Sequence, residues 1–261
     1  MFDVETWEVT LLVFAIVLGA TALGVFMGRR VRHLSEVLRE PFGVLQAALL
    51  GVVGLILAFG LSLALSRYED RRATVVQEAN AIGTTWLRAQ TLAEPIRSES
   101  LELLIDYTQS AVRLAENMPG SAEELDAAAS EQQLQRKLWA LAARALEDAP
   151  SASAPRLYIE TLNDTIDAQT VRIAALNNRV PHAVLVLEVL GAALALGLLG
   201  AYLSIVGRGV VAVFLASLLV AFLVLVIYDL DRPTRGMITV PDTALTNQLD
   251  SMALPPAAGP P

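Results

Sequence analysis

Four stretches, Val9–Met27, Gly43–Leu65, Ala183–Val206 and Gly209–Tyr228, each run for about 20 residues with at most one charged side chain. Roughly 20 helical residues, at about 1.5 Å each, cross a hydrocarbon core of about 30 Å. Inside a bilayer no water is available to the backbone, so a spanning segment must satisfy its own peptide groups, and a single helix does this. The pattern therefore predicts an all-α chain with four transmembrane helices. Composition agrees: 54% of the residues are hydrophobic and mean hydropathy is +0.52, above the roughly 45–50% apolar content of a soluble domain. The leading segment "MFDVETWE" carries acids and no base, which is the wrong charge for a cleavable signal, so the first span is expected to remain as an anchor.

Between the second and third spans lie residues 66–181, rich in Ala, Leu, Glu and Arg and with an acidic excess. These are helix formers with charged exposed faces, which predicts a helical, water-facing domain inserted between transmembrane helices 2 and 3. The second span should continue outward as a rod through "SRYEDRRATVVQEANAIGTTWLRAQ", because no proline intervenes before Pro95. A second helix is expected from Ile96 to about Asn117, ended by "MPG". The run "SAEE" reads as a capping box, with Ser121 accepting from the amide near Glu124, so a third helix should run from there to about Asp148. A fourth starts near Pro155 and leads to Pro181. It carries Ile159, Leu162, Ile166, Gln169, Ile173, Leu176 and Val180 at alternating spacings of 3 and 4, a heptad seam with one polar member. The seam packs either on the rod within one chain or between subunits. The domain plan is thus residues 1–65 for spans 1 and 2, 66–181 for the water-facing domain, 182–228 for spans 3 and 4, 229–240 for a membrane-exit turn, and 241–261 for a disordered, Pro- and Ala-rich tail.

Several function classes are disfavoured. With no cysteine and only His33 and His182, no thiolate or histidine metal site can be assembled, and no H-E-x-x-H, G-x-S-x-G or phosphate-binding loop is present. The expectation is no enzyme, no metal and no cofactor. A net charge of −8 argues against nucleic acid. One lysine against eighteen arginines, with abundant alanine, fits a GC-rich bacterial genome and hence the bacterial inner membrane.

Three features are candidates for function. Ala47, Gly51, Gly54, Ala58, Ser62 and Ser66 place small residues on one stripe of the second span. Such a stripe lets helices approach closely or leaves room for a lumen. Glu188 is the one ionisable residue well inside a span. A carboxylate there must face protein or a wet vestibule, paired with Arg67 or His182 or placed to act on conduction. Finally, Arg67, Arg71, Arg72, Asp229 and Asp231 crowd the membrane exits, where an acid is expected to pair with an arginine. On a helix Asp229 and Asp231 point about 200° apart and cannot share one neighbour. The fourth span is expected to end near Asp229, with Pro233 and Gly236 turning the chain.

Orientation is ambiguous. The short loops on one side hold Arg29, Arg30, Arg32, Arg39 and Arg208, which places the large domain outside the cytoplasm. Against this, Arg67, Arg71, Arg72, Arg172, Arg179, Arg232 and Arg235 flank spans on the other side.

At "LSRYEDRRATVVQEANAIGTTWLRAQTLAEPIRSE" and at "YDLDRPTRG" the chain resembles the bestrophin-like family of bacterial four-span membrane proteins. The most specific runs are Glu78–Gly83, Leu87–Ala89 and Asp229–Pro233. A weaker resemblance is to the bestrophin anion channels, with Tyr68-Glu69-Asp70-Arg71 and Asp231–Gly236 in the corresponding places. Thr234 stands where those channels have Phe, and the acidic run that would hold calcium is absent, so a calcium clasp is not carried over. The resemblance implies a homo-oligomer, by analogy a pentamer, with the second span lining a pore and cytosolic termini, contrary to the short-loop charge.

Two functions are left open. One is an oligomeric ion channel whose second span lines the pore. The other is a membrane-anchored helical scaffold or sensor that recruits a protein partner through residues 66–181.

Overall fold

The structure, a computed structural model, describes residues 6–117, 121–207, 209–234 and 236–256. Every regular element among them is helical: α1 (Thr6–Arg30), α2 (Ser35–Ala89), α3 (Ile96–Glu116), α4 (Ala122–Asp148), α5 (Ser153–Asn177), α6 (His182–Val206), α7 (Val210–Leu230) and α8 (Thr243–Met252), with a single 3-10 turn at Arg32–Leu34. Four helical stretches are long and apolar enough to cross a membrane, as the charge-free runs require. The "MPG" stop, Arg208, Arg235 and the last five residues of the tail lie outside the described residues.

The chain divides into two compact units. One comprises Asp3–Arg67 and Arg179–Ile238, the other Tyr68–Asn178 and Thr239–Pro261. The 55-residue helix α2 contributes residues 35–67 to the first and 68–89 to the second.

In the first unit α1 and α6 lie side by side in the same direction. Gly24 meets Gly197 so closely that a Cβ on Gly24 would overlap the Gly197 carbonyl oxygen, and Gly28 meets the backbone of Ala201 in the same way. A Cβ on Gly200 would come within 2.9 Å of the Thr21 carbonyl. The pattern Gly24-x-x-x-Gly28 thus allows backbone-to-backbone contact, the packing that drives helix association where lipid leaves little hydrophobic force. Between α1 and α7 the hydroxyls of Thr21 and Ser217 meet at 2.8 Å, both buried. The membrane portion of α2 runs antiparallel to α6, with Gly43 against Tyr202, Val53 against Gly191 and Gly60 against Glu188.

The second unit has a conventional apolar core. Val75, Ile82 and Trp86 of α2 pack with Leu104 and Tyr107 of α3, Leu138 and Leu141 of α4, and Tyr158 and Leu162 of α5. Ser121 caps α4 as its sequence indicates, accepting from the Glu124 amide at 3.1 Å. The α5 seam is used within the chain. Leu162 and Gln169 are buried, Ile159 and Ile166 pack on the same core, Thr85 of α2 reaches Thr161 and Thr165 at 2.8 Å, and Gln169 donates to Glu131 of α4 at 2.7 Å.

Two expectations need correction. The segment read as a loop after the first span is helical from Ser35, with Pro41 inside α2, so the helix starts before the span placed at Gly43–Leu65. Pro41 is the seventh residue of α2, past the first turn, so it removes one backbone hydrogen bond and crowds the carbonyl four residues earlier, while the surrounding Glu, Leu and Arg favour helix. The supposedly disordered tail contains α8, whose Leu245 and Met252 are 0% and 4% exposed in the second unit's core. Two anchors seven residues apart share one helix face, and Val240 and Ala244 pack beside them.

Candidate functional site

Within the first unit α2 presents three faces. Val53, Leu57, Gly60 and Ala64 are buried. Val52, Leu55 and Phe59 form a bulky face and are 56%, 57% and 67% exposed. The third face is the small-residue stripe: Ala47, Gly51, Gly54, Ala58, Ser62 and Ser66 are all exposed. A Cβ placed on Gly51 or Gly54 would meet nothing within 4 Å, whereas one on Gly60 would overlap the Glu188 carboxylate. At 100° per residue the stripe stands roughly 90° from the bulky face and well over 90° from the buried one. Among the described residues no helix of the same chain packs on this small-residue face.

Glu188 lies on α6 behind α2. It is fully buried, its carboxylate lies against the α-carbon of Gly60, and neither oxygen has a hydrogen-bond partner among the described residues. The expected setting in protein is found, while the expected pairing with Arg67 or His182 is not seen at its oxygens. Because Gly60 is nearly opposite the stripe, Glu188 lies behind the open face and is not part of it.

The membrane-exit charges are engaged one by one. Helix α7 ends at Leu230. The Asp229 carboxylate turns back to accept from the amides of Met237 (3.0–3.1 Å) and Ile238 (2.8 Å). Gly236, with φ +113°, passes so near Asp229 that a side chain there would collide with it. Asp231 accepts from the amide of Val180 at 2.8 Å. The two acids thus face different neighbours, as their separation on a helix demands. Buried Arg71 donates to the Ala175 carbonyl (3.3 Å) and the Asn178 carbonyl (2.9 Å), where a cation complements the C-terminal end of α5. Arg72 reaches Glu69 at 3.9 Å with both side chains exposed, a contact contributing about 0–1 kcal/mol. Arg67 is half-buried at the boundary of the first unit.

One polar constellation was not singled out from the sequence. In the second unit Arg172 of α5 is 1% exposed, in close contact with Glu78 of α2 and 3.4 Å from Glu131 of α4, both carboxylates fully buried. Tyr107 of α3 donates to Glu78 at 3.3 Å, Gln169 donates to Glu131, and Arg172 also donates to the Ala111 carbonyl. Burial pushes the Glu131 carboxyl up to about 7, only partly opposed by Arg172 and reinforced by Glu78. Burial likewise holds Glu78 above the ordinary carboxylate range. Two carboxylates on one guanidinium join four helices. The glutamate of the Glu78–Gly83 run is its α2 member.

Comparison with protein-family models matches residues 11–245 to the bestrophin-like domain. Crystal structures of a bacterial bestrophin homolog from Klebsiella pneumoniae share the fold. A singly substituted form has 16% identity and a TM-score of 0.66, covering 90% of this chain and 97% of that one. A second substituted form has 16% identity and a TM-score of 0.66, covering 90% and 98%. A structure phased with zinc has 16% identity and a TM-score of 0.63, with the same coverages. Comparison with functionally curated proteins gives no match.

Proposed function

Because the chain belongs to the bestrophin-like family, we propose that it is an oligomeric ion channel of the bacterial inner membrane in which the small-residue stripe of α2 faces a central pore. The observation that carries the reading is the stripe itself: six small residues on one face of a membrane helix, exposed along its length, with open space over Gly51 and Gly54. Gly and Ala at such positions narrow the helix and leave room for a lumen when copies are arranged about an axis, and Ser62 and Ser66 offer hydroxyls to a hydrated ion. Five copies is the number the bestrophin likeness suggests.

On this reading residues 66–181 form a water-facing helical domain inserted between the second and third membrane helices. Glu188, behind the stripe, then affects conduction through the position of α2 and does not touch the permeating ion. The competing reading is a membrane-anchored scaffold or sensor that recruits a protein through the helical unit.

Purified protein in liposomes separates the two. A channel gives ion flux that scales with protein content, and native mass spectrometry gives a single oligomeric mass. A monomer without flux would leave the scaffold.

A further inference from the structure

The opening turns of α4, residues 122–133, are held differently from the rest of that helix. From Leu134 onward α4 gives Leu134, Leu138, Leu141, Ala142 and Ala145 to the apolar core of the second unit. Before Leu134 its buried residues are Ala127, with a single methyl to bury, and Glu131. Leu125, the large apolar residue of this stretch, is 62% exposed. Residues 122–133 therefore gain little from apolar burial, which is the condition for a segment that opens before the rest of its unit.

The contacts that dock this stretch are polar. The Ser110 hydroxyl donates to the Ala127 carbonyl at 3.1 Å, Gln169 donates to Glu131 at 2.7 Å, and Arg172 lies 3.4 Å from Glu131. The same buried guanidinium is in close contact with Glu78, so one cation serves two fully buried carboxylates. Among the described residues, the charged and titratable groups set against these carboxylates are Tyr107 and Arg113 of α3 and Arg172 of α5, together with each other. Arg113 is exposed and screened by water. The buried set therefore balances only while one carboxylate carries a proton. A second ionisation leaves an uncompensated charge in the interior, and returning one carboxylate to water relieves it. Glu78 sits on α2 between the core residues Val75 and Ile82, whereas Glu131 sits on the weakly anchored stretch. Glu131 is thus the carboxylate that can leave.

We propose that residues 122–133 of α4 form a pH-released flap, docked while Glu78 and Glu131 share one proton over Arg172 and undocked when both carboxylates are ionised. The flap lies within one helical unit of one chain and does not depend on the channel reading. Burial pushes the docked Glu131 carboxyl up to about 7, and in water it returns to its ordinary value near 4.5. The docked form holds the extra proton, so its advantage is complete at acid pH and is lost as pH rises toward 7. Opening should increase by up to tenfold per pH unit over that window, or about twentyfold from pH 5.5 to pH 7.5.

Hydrogen exchange read by mass spectrometry tests this on the full chain in neutral detergent, at pH 5.5, 6.5 and 7.5, with each rate divided by the intrinsic rate of its amide. Peptides covering residues 122–133 should show the twentyfold rise, and those covering residues 138–146 should change less than about twofold. Glu131→Gln keeps an oxygen for Arg172 and cannot ionise, so residues 122–133 should stay as protected at pH 7.5 as they are at pH 5.5. Glu131→Leu leaves Arg172 a single carboxylate and should flatten the profile as well, which keeps the test readable where the glutamine variant does not fold. A flat profile in the unsubstituted chain overturns the proposal. So does an equal rise along the whole of α4, or a rise of the unsubstituted size in either variant.

Discussion

Replacing Glu131 by Gln should remove much of the pH dependence of this protein's stability. In the folded state the Glu131 carboxyl is pushed up to about 7, first by burial, with Arg172 opposing and Glu78 reinforcing; unfolded, it returns to its ordinary value near 4.5. Between those values the folded chain holds a proton that the unfolded chain has lost. Its contribution is therefore greatest below about pH 4.5, declines as pH rises toward 7, and is flat above. At 1.36 kcal/mol per pH unit the full decline is roughly 3 kcal/mol, most of it falling between pH 5 and pH 8. For a unit of this size that corresponds to a fall in Tm on the order of 5–10 °C. Glutamine cannot titrate, so this part of the slope should vanish. A smaller slope of the same sign should remain from Glu78, which burial also holds high. The assay is thermal unfolding of the full chain in neutral detergent from pH 5 to 8, followed by the fluorescence of Trp86, which lies in the second unit's core. A Glu131→Gln slope equal to that of the unsubstituted chain would refute the reasoning.

Other expectations follow from the same contacts. Gly24→Ala should cost about 1–3 kcal/mol, because the added methyl meets the Gly197 backbone; Gly19→Ala, with open space around it, should be near neutral, and equal melts for the two would contradict the α1–α6 contact. Asp229→Ala should lose roughly 1.5–3 kcal/mol, since the amides of Met237 and Ile238 both donate to that carboxylate; denaturant titration should find Asp229→Asn intermediate, and no loss in either would show that the turn is held by something else. Glu188→Gln breaks no hydrogen bond among the described residues and lies behind the open stripe, so reversal potentials in bilayers should keep the unsubstituted ion selectivity. A changed selectivity would place Glu188 on the ion path.

The parts legible in the sequence were those encoded locally. Runs without charge announce the spans, and Ser121 before Glu124 announces a helix start, because each depends on residues within a turn or a window. The Arg172 network was hidden because its members come from four helices and its three charges, Glu78, Glu131 and Arg172, each read in sequence as an ordinary solvated helix charge. Two signals were present and unused. The spacing Gly24-x-x-x-Gly28 is a close-packing pattern, although nothing local says that Gly197 and Ala201 are its partners. Leu245 and Met252 lie seven apart, too sparse a pattern to distinguish a ten-residue docked helix from a polar tail. For the stripe the sequence left two outcomes, close packing or an open face. Among the described residues no part of the same chain covers it along α2, and on the proposed reading other copies set its environment.

Substituted-cysteine accessibility tests that environment most directly, since the natural chain contains no cysteine to confuse the result. Gly54, Ala58 and Ser62 would be changed singly to Cys, with Leu55 and Phe59 on the neighbouring bulky face as comparisons. Each protein would be reconstituted in liposomes and treated with a charged, membrane-impermeant methanethiosulfonate while ion flux is recorded. A pore-lining stripe predicts modification of Ala58→Cys and Ser62→Cys with loss of flux, and no effect at Leu55→Cys or Phe59→Cys. Modification confined to the bulky positions, or flux indifferent to a fully modified stripe, would contradict a pore lined by α2.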